Sequence, residues 1–166
     1  MLLAFIAIIY ALNGFFVGIV GEYTGLNEYV VNSTQGQFDG FSLQYMLGQI
    51  FRFFAFAMGV EWADTLRVGS LLGQKTVINE FIAYESLSIM IDPSKTPDVL
   101  SGKSLVIATY ALCGFSNFSS IAIQIGGIGA MAPSQQSNLS KLGMKALLAA
   151  TLACMLTATI AGAITS

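Results

Sequence analysis

The sequence predicts an all-α integral membrane protein, and three observations lead to this fold class. Of the 166 residues, 55% are hydrophobic and only 10% are charged, whereas a soluble domain carries about 25% charged residues. Apolar runs long enough to cross a bilayer occur at 2–20 and 141–164. Charged residues interrupt the apolar sequence at 59–91, and glycine, serine and asparagine interrupt it at 114–120. These interruptions predict helices that break inside the membrane.

The composition also excludes several classes of function. The net charge of −2 provides no basic face for nucleic acid. The chain has no histidine, which excludes a histidine proton relay, a histidine metal site and a Ser-His or Cys-His pair, so no enzyme activity is expected. Cys113 and Cys154 each lie in an apolar run and are interpreted as small buried side chains, not as a disulfide or metal pair. The first residues lack the basic region of a cleaved signal peptide.

The first part of the chain is predicted to form two helices separated by a polar loop. A transmembrane helix is expected within 1–27 and a loop at a water interface within 28–41. Ser42 can cap the next helix, which is predicted over 42–58. One face of this helix carries Gln44, Gly48, Gln49 and Arg52, and aromatic residues lie opposite. This pattern predicts an amphipathic helix at the membrane interface; the alternative is a short tilted span with a snorkelling Arg52.

Residues 59–91 are predicted to form a re-entrant helical hairpin. Two apolar pieces, at about 62–73 and 77–91, are joined by a predicted turn at 73–76, and each is too short to cross about 30 Å of hydrocarbon. The alternative is an amphipathic hairpin that faces water. Glu80 lies close to the predicted turn, and a carboxylate at membrane depth costs about 2.5–3.5 kcal/mol. Such a charge is expected to face a cavity, a partner or a ligand, which makes Glu80 the first functional candidate.

The last part of the chain is predicted to contain a broken helix and a final span. A loop with two prolines at 92–98 leads to an apolar run at 103–132, which is broken at 114–120. Gly126, Gly127 and Gly129 are assigned to close helix packing. The final span is expected over 141–164, and its first turns carry Lys141 and Lys145, which predicts that it starts in the cytoplasm.

Polar residues at membrane depth fall into two main clusters. The hairpin carries Gln74, Lys75, Thr76, Asn79 and Glu80, and the broken helix carries Ser116, Asn117, Ser119 and Ser120. These groups suit a neutral molecule rich in hydroxyl groups, because a carboxylate can accept hydrogen bonds from two adjacent hydroxyls. Two alternatives remain open. Glu80 could form a structural ion pair with Lys75, and Asn117 with its serines could hydrogen-bond between helices.

Two motifs resemble one known family. The first, Gly-x-Lys-x-x-x-Asn-Glu-Phe-x-Ala-Tyr, extends from Gly73 to Tyr84. The second, Ala-Leu-Cys-Gly-Phe-Ser-Asn-Phe-Ser-Ser-Ile, extends from Ala111 to Ile121. Together they resemble the C-terminal half of the concentrative nucleoside transporters, and the resemblance covers the chain from about residue 42 onward.

The resemblance implies the fold, the activity and the roles of particular residues. It implies a scaffold-type helix at 1–27 and a transport domain at 42–166 within a homotrimer. The implied activity is nucleoside import across the plasma (inner) membrane, coupled to Na⁺ or H⁺ entry, with no bound cofactor. The implied substrate-binding residues are Glu80, which would accept from ribose hydroxyls, Asn117 and Ser120, which would complete the sugar site, and Phe115, which would give an apolar contact. Asn79, Lys75 and Ser119 are secondary candidates.

The chain departs from the family pattern in one major respect and, at 134–136, in a smaller one, where relatives often have basic residues. The family's first hairpin, which reads the nucleobase and holds the coupling ion, has no counterpart in these residues, nor is there an inverted repeat. The chain is therefore expected to be a fragment, a truncated product or one half of a split inverted-repeat transporter, with an N-terminal half as its partner. The alternative function is a membrane fragment with a structural or assembly role and no transport alone.

Overall fold

The computed structural model describes residues 2–94 and 100–165, with the side chains of 7–94 and 100–165. All regular secondary structure in these residues is helical, which confirms the predicted all-α class. The α-helices are α1 Leu2–Phe15, α2 Glu22–Thr24, α3 Leu26–Ser33, α4 Leu43–Ala57, α5 Thr65–Val77, α6 Glu80–Met90, α7 Gly102–Leu112, α8 Phe118–Met131 and α9 Gln136–Ile164. The part of the predicted proline loop from 95 to 98 lies outside the described residues.

Two helical stretches within the described residues are long and apolar enough to cross a membrane. The first, Ala7–Thr24, contains most of α1, a π-helical turn at Phe16–Gly21 and α2. The second, Pro133–Ile164, contains α9. The predicted span at 103–132 is divided into α7 and α8, of 11 and 14 residues. Each piece is shorter than the roughly 20 residues that a span requires, so the predicted broken helix is confirmed.

Helix α3 occupies part of the segment that was predicted as loop, so the prediction of loop at 28–41 is wrong for residues 28–33. Val30 is fully buried against Phe38 and Leu66, and this long-range packing stabilises a helix that its polar composition does not indicate. The Asn27 side chain donates to the Val17 carbonyl oxygen at 2.9 Å and accepts from a backbone amide across the loop. A polar residue that indicated a loop therefore anchors α3 against the first span.

The hairpin is present, but its turn lies later than predicted. Helix α5 continues through the predicted turn at 73–76, and the chain reverses at Ile78 and Asn79. Gly73 lies inside α5, and a Cβ atom there would come within 2.4 Å of the Leu47 Cβ atom of α4. Its glycine therefore serves helix packing and not the turn. The two arms of 13 and 11 residues are each about 20 Å long or less, too short to cross a bilayer.

Helix α4 packs its polar face on α5. The Ser42 side chain caps α4 as predicted, accepting from the Tyr45 amide at 3.2 Å. A Cβ atom on Gly69 of α5 would come within 2.7 Å of the Gly48 carbonyl oxygen, so the backbones touch at these glycines. The aromatic face points away from α5, with Phe53 and Phe56 more than half exposed. The polar face is thus partly covered by α5, with Gly48 buried and Gln44, Gln49 and Arg52 half-buried; the location of α4 at the membrane interface remains a prediction.

We expect Gly69→Ala to lower the free energy of unfolding by about 1–3 kcal/mol, because the added methyl group would overlap backbone atoms of α4 that cannot move independently. The matched control is Gly126→Ala in α8, where a Cβ atom would have no neighbour within 4 Å in this chain. There, alanine is favoured by its higher helix propensity. Thermal unfolding in detergent measures both variants. Equal unfolding temperatures would contradict the close contact of α4 with α5.

The last helix packs on both halves of the broken helix. A Cβ atom on Gly162 would come within 2.4 Å of Ile107 in α7, and one on Gly143 within 2.7 Å of Ile121 in α8. The expected packing role of Gly126 and Gly127 is wrong within this chain, because a Cβ atom at either would meet nothing within 4 Å. Small residues allow close approach where the facing helix presents a branched side chain.

Three further predictions about this region have different outcomes. Helix α9 begins at Gln136, five residues before the predicted 141. Lys141 and Lys145 are exposed, and their cytoplasmic location remains a prediction. Cys113 and Cys154 are free cysteines, but the prediction that both are buried is wrong: Cys113 is exposed where α7 ends, and Cys154 is half-buried.

Candidate functional site

Two interruptions of the helices lie side by side, and an asparagine follows each. Asn79 caps α6 after the hairpin turn, accepting from the Ile82 amide at 3.0 Å. Asn117 caps α8 after the break in the broken helix, accepting from the Ser120 amide at 2.7 Å. The first amides of a helix have no partner within it and carry a positive partial charge. The two positive helix ends lie close together, because Glu80 at the start of α6 contacts Asn117, the cap of α8.

Glu80 is the first residue of α6 and lies at this junction. One oxygen of its carboxylate accepts from the side-chain amide of Asn117 at 2.6 Å. Glu80 is 9% exposed and Asn117 is 1% exposed. Hydrogen bonds to charged groups contribute about 1.5–3 kcal/mol, and the positive end of α6 favours a carboxylate in its first turn. The structure thus brings together the two residues that were predicted to carry the site.

Asn117 is held in one orientation by its serine neighbours. Its side-chain oxygen accepts from the Ser119 hydroxyl at 2.7 Å and from the Ser120 hydroxyl at 2.9 Å, besides the Ser120 amide. Because this oxygen is occupied by three donors, the amide nitrogen of Asn117 must point the other way, toward Glu80. The serines therefore orient the contact between α6 and α8.

Lys75 makes a different hydrogen bond from the ion pair with Glu80 that the sequence left open as an alternative. Lys75 is 2% exposed, and its ammonium group donates to the carbonyl oxygen of Ala111 at 2.7 Å. Ala111 lies in the last turn of α7, just before the break. Lys75 therefore reaches the end of α7, while the hydrogen bond of Glu80 is made with Asn117.

Phe115 is not part of the buried cluster. It lies in the break and its side chain is 71% exposed. Asn79 contributes to the site through the cap that starts α6, and Ser119 contributes through Asn117. The candidate residues thus separate into a buried polar pair with its serines, and one exposed aromatic side chain.

Two residues of the hairpin motif have contacts that the sequence reasoning missed. The hydroxyl of Tyr84 donates to the Thr109 carbonyl oxygen of α7 at 2.9 Å. Gln74 accepts from Ser86 of the opposite arm at 2.7 Å. Tyr84 is the last residue of the first motif, which is a signal that it matters, but the spacing does not predict Thr109 as its partner. In the part of the chain that the structure describes, no group of three His, Cys, Asp or Glu side chains is placed to hold a metal ion.

A cavity of about 1050 Å³ lies between the first span, the loop after α3 and the hairpin. Its lining includes Asn13, Gln44, Gln74 and Ser86, and these polar groups already bind each other. Asn13 donates to Gln44 at 2.6 Å and accepts from a backbone amide of α4, while Ser86 donates to Gln74. These four side chains are thus paired with one another, and the lining of the cavity does not include Glu80 or Asn117.

Comparison with known proteins shows which family this chain resembles in sequence. The profile described as Na⁺ dependent nucleoside transporter C-terminus matches residues 1–162. The uncharacterized transporter YutK of Bacillus subtilis is 44% identical over 162 residues, which cover 98% of this chain and 35% of YutK. The putative nucleoside permease NupX of Escherichia coli is 43% identical over 125 residues, which cover 75% of this chain and 29% of NupX.

A solved structure agrees with these matches. The structure of CNTnw in an inward-facing substrate-bound state is similar with a TM-score of 0.82 at 38% identity, covering 97% of this chain and 35% of that chain. The chain spans about a third of the length of YutK and of CNTnw. On sequence profile, relatives and fold together, this chain belongs to the nucleoside transporter family, a family of membrane transporters and not of enzymes, and matches its C-terminal part.

Proposed function

We propose that this chain forms the C-terminal part of a cation-coupled nucleoside importer of the plasma (inner) membrane, and that it supplies the ribose-binding half of the substrate site. The observation that carries this proposal is the buried contact of 2.6 Å between Glu80 and Asn117 at two converging helix N-termini. A carboxylate held in this way is a strong acceptor in a region of low dielectric.

The chemistry of the pair fits the two neighbouring hydroxyls of a ribose. A carboxylate offers about four lone-pair sites on its two oxygens, and among the described residues its hydrogen-bond partner is Asn117. The remaining sites can accept from hydroxyl donors. The hydroxyls of Ser119 and Ser120 donate to Asn117, so their oxygens can still accept from a ligand. Phe115, exposed at the break, would supply an apolar surface beside the sugar.

The remaining functions belong to other parts of the proposed transporter. Na⁺ or H⁺ would be a transported substrate and would be bound mainly by residues outside this chain. The nucleobase would likewise be bound by residues outside this chain. The family resemblance supports a homotrimer and an N-terminal half as partner. The coverage of about a third of the relatives' length is consistent with the N-terminal partner, whereas the homotrimer rests on the resemblance alone.

The test uses a chimera in which this chain replaces the matching C-terminal third of CNTnw. We expect the chimera, reconstituted in liposomes, to accumulate uridine when a gradient of Na⁺ or of H⁺ is imposed, and not without a cation gradient. Unaltered CNTnw is the control, and the 166-residue chain alone is compared with it. A chimera that inserts and assembles like CNTnw but does not bind uridine would overturn the proposed function in favour of a structural role.

A further inference from the structure

The end of α7, where the broken helix is interrupted, is held partly by the hairpin. The last four carbonyl groups of a helix have no partner within it. In α7 two of these oxygens bind amides of the following turn, with distances of 3.2 Å for Cys113 and 2.8 Å for Gly114. The other two, on Thr109 and Ala111, accept from side chains of the hairpin. The break is therefore completed by residues outside the broken helix.

Each arm of the hairpin supplies one of these side chains. Lys75 of α5 donates to Ala111 at 2.7 Å, and Tyr84 of α6 donates to Thr109 at 2.9 Å. The C-terminal end of a helix carries a negative partial charge, so the Lys75 ammonium group is favourably placed there. Burying a cation is costly unless it has such partners. A lysine that is 2% exposed and bound to a helix end therefore indicates a specific task at the break.

The task of Lys75 can be inferred because only a few residues separate its contact from the contact between Glu80 and Asn117, both in the hairpin and in the broken helix. The contact of Lys75 with Ala111 and the contact of Glu80 with Asn117 join the same two segments. They are separated by residues 75 to 80 along the hairpin and by residues 111 to 117 along the broken helix. The two contacts therefore close a short ring, and the position of Asn117 depends on where α7 ends.

We propose that Lys75 and Tyr84 are positioning residues of the sugar site: they clamp the end of α7 to the hairpin, and the clamp places Asn117 against Glu80. This inference rests on the proposed function. The hairpin and the broken helix then behave as one rigid unit. A ligand that binds between Glu80 and Asn117 meets a preformed site, which reduces the ordering cost of binding.

The test compares variants of Lys75 in the chimera by uridine titration and by thermal unfolding. Lys75→Met keeps the apolar stem and removes the donors, and we expect it to weaken uridine binding about tenfold, as for a lost bond from a charged group. Lys75→Arg, which keeps a charged donor, should recover most of the affinity. Lys141→Met removes one positive charge at an exposed site of α9 and should leave affinity unchanged.

A double-variant experiment separates positioning from general stability. If Lys75 acts through Asn117, Lys75→Met should change uridine affinity less than about twofold in a chain that already carries Asn117→Ala. An equal loss in both backgrounds would overturn the proposal. If Lys75→Met does not fold, Tyr84→Phe, which removes one hydroxyl group, takes its place in the same comparison, with a several-fold loss expected.

Hydrogen exchange tests the clamp independently of uridine. Lys75→Met should speed amide exchange at Cys113 and Gly114 about tenfold or more, and Lys75→Arg should restore the slow rate. Unchanged exchange at these amides would overturn the clamp. If Asn117→Ala leaves uridine affinity unchanged, the proposed sugar site is wrong, and the exchange rates alone then decide whether the clamp exists.

Discussion

Glu80→Gln is expected to weaken uridine binding to the chimera about tenfold or more. The exchange keeps the volume of the side chain and removes its charge. The amide lacks charge assistance and adds a donor where the site needs acceptors, and bonds to charged groups contribute about 1.5–3 kcal/mol. The matched control is Glu85→Gln, which makes the same change at an exposed position of α6 and should bind uridine like the parent.

Nucleosides that lack one ribose hydroxyl test whether Glu80 binds the sugar. The parent should bind 2′-deoxyuridine and 3′-deoxyuridine more weakly than uridine, and Glu80→Gln should reduce that difference. The reason is that the variant lacks the strong acceptor which the missing hydroxyl would have met. Titration of the three nucleosides against both proteins gives the ratios. Identical ratios in parent and variant would show that Glu80 does not contact the sugar.

The ion-pair interpretation predicts another pattern for the same variants. It requires Glu80→Gln and Lys75→Met to damage folding to a similar degree, with the preference for hydroxyl groups retained. In the structure Lys75 donates to Ala111 and Glu80 accepts from Asn117, so each of these two hydrogen bonds is made with another residue. Unfolding temperatures measured beside the titrations distinguish the two interpretations.

Asn117→Asp is expected to lower the free energy of unfolding by about 1–3 kcal/mol or more and to abolish the measured affinity for uridine. Aspartate keeps the cap of α8, because it accepts from the Ser120 amide as well as asparagine does. However, it removes the donor that binds Glu80 and places a second carboxylate against the first. Asn117→Ser keeps a capping oxygen without the added charge, so it should be less harmful than Asn117→Asp.

Exchanging the two groups gives a direct test of their contact. In the double variant Glu80→Gln with Asn117→Asp, the amide and the carboxylate change places, so one donor and one charged acceptor again face each other. We expect the double variant to recover most of the stability that Asn117→Asp loses, as measured by thermal unfolding in detergent. A double variant as unstable as Asn117→Asp would contradict the contact between α6 and α8.

Several features of the fold could be predicted because their causes are local in the sequence. Long apolar runs and few charges predict membrane helices wherever they occur. Ser42 predicted the start of α4 because capping depends on a side chain and an amide three residues later. Glu80 was singled out because a carboxylate is costly inside hydrocarbon whatever its partner is.

Other features depended on residues that are distant in sequence. The turn was predicted at 73–76 because glycine favours turns, whereas Gly73 provides room for Leu47 of another helix. Residues 28–33 were predicted as loop from their polar composition, whereas Val30 is buried against Leu66. In both places, tertiary packing overrides a weak local preference.

By itself, the sequence determined that this protein is a helical membrane protein with a hairpin and a broken helix, and it placed a carboxylate and an amide near their interruptions. Apolar length, capping residues and the cost of a buried charge act within a few residues. Only the tertiary structure decided where the hairpin turns and which group each polar side chain meets. Lys75 could have met Glu80, five residues away, but binds Ala111 instead. The unpaired carbonyl and the negative partial charge belong to the end of α7 itself, but only the packing of the helices brings Lys75 to them.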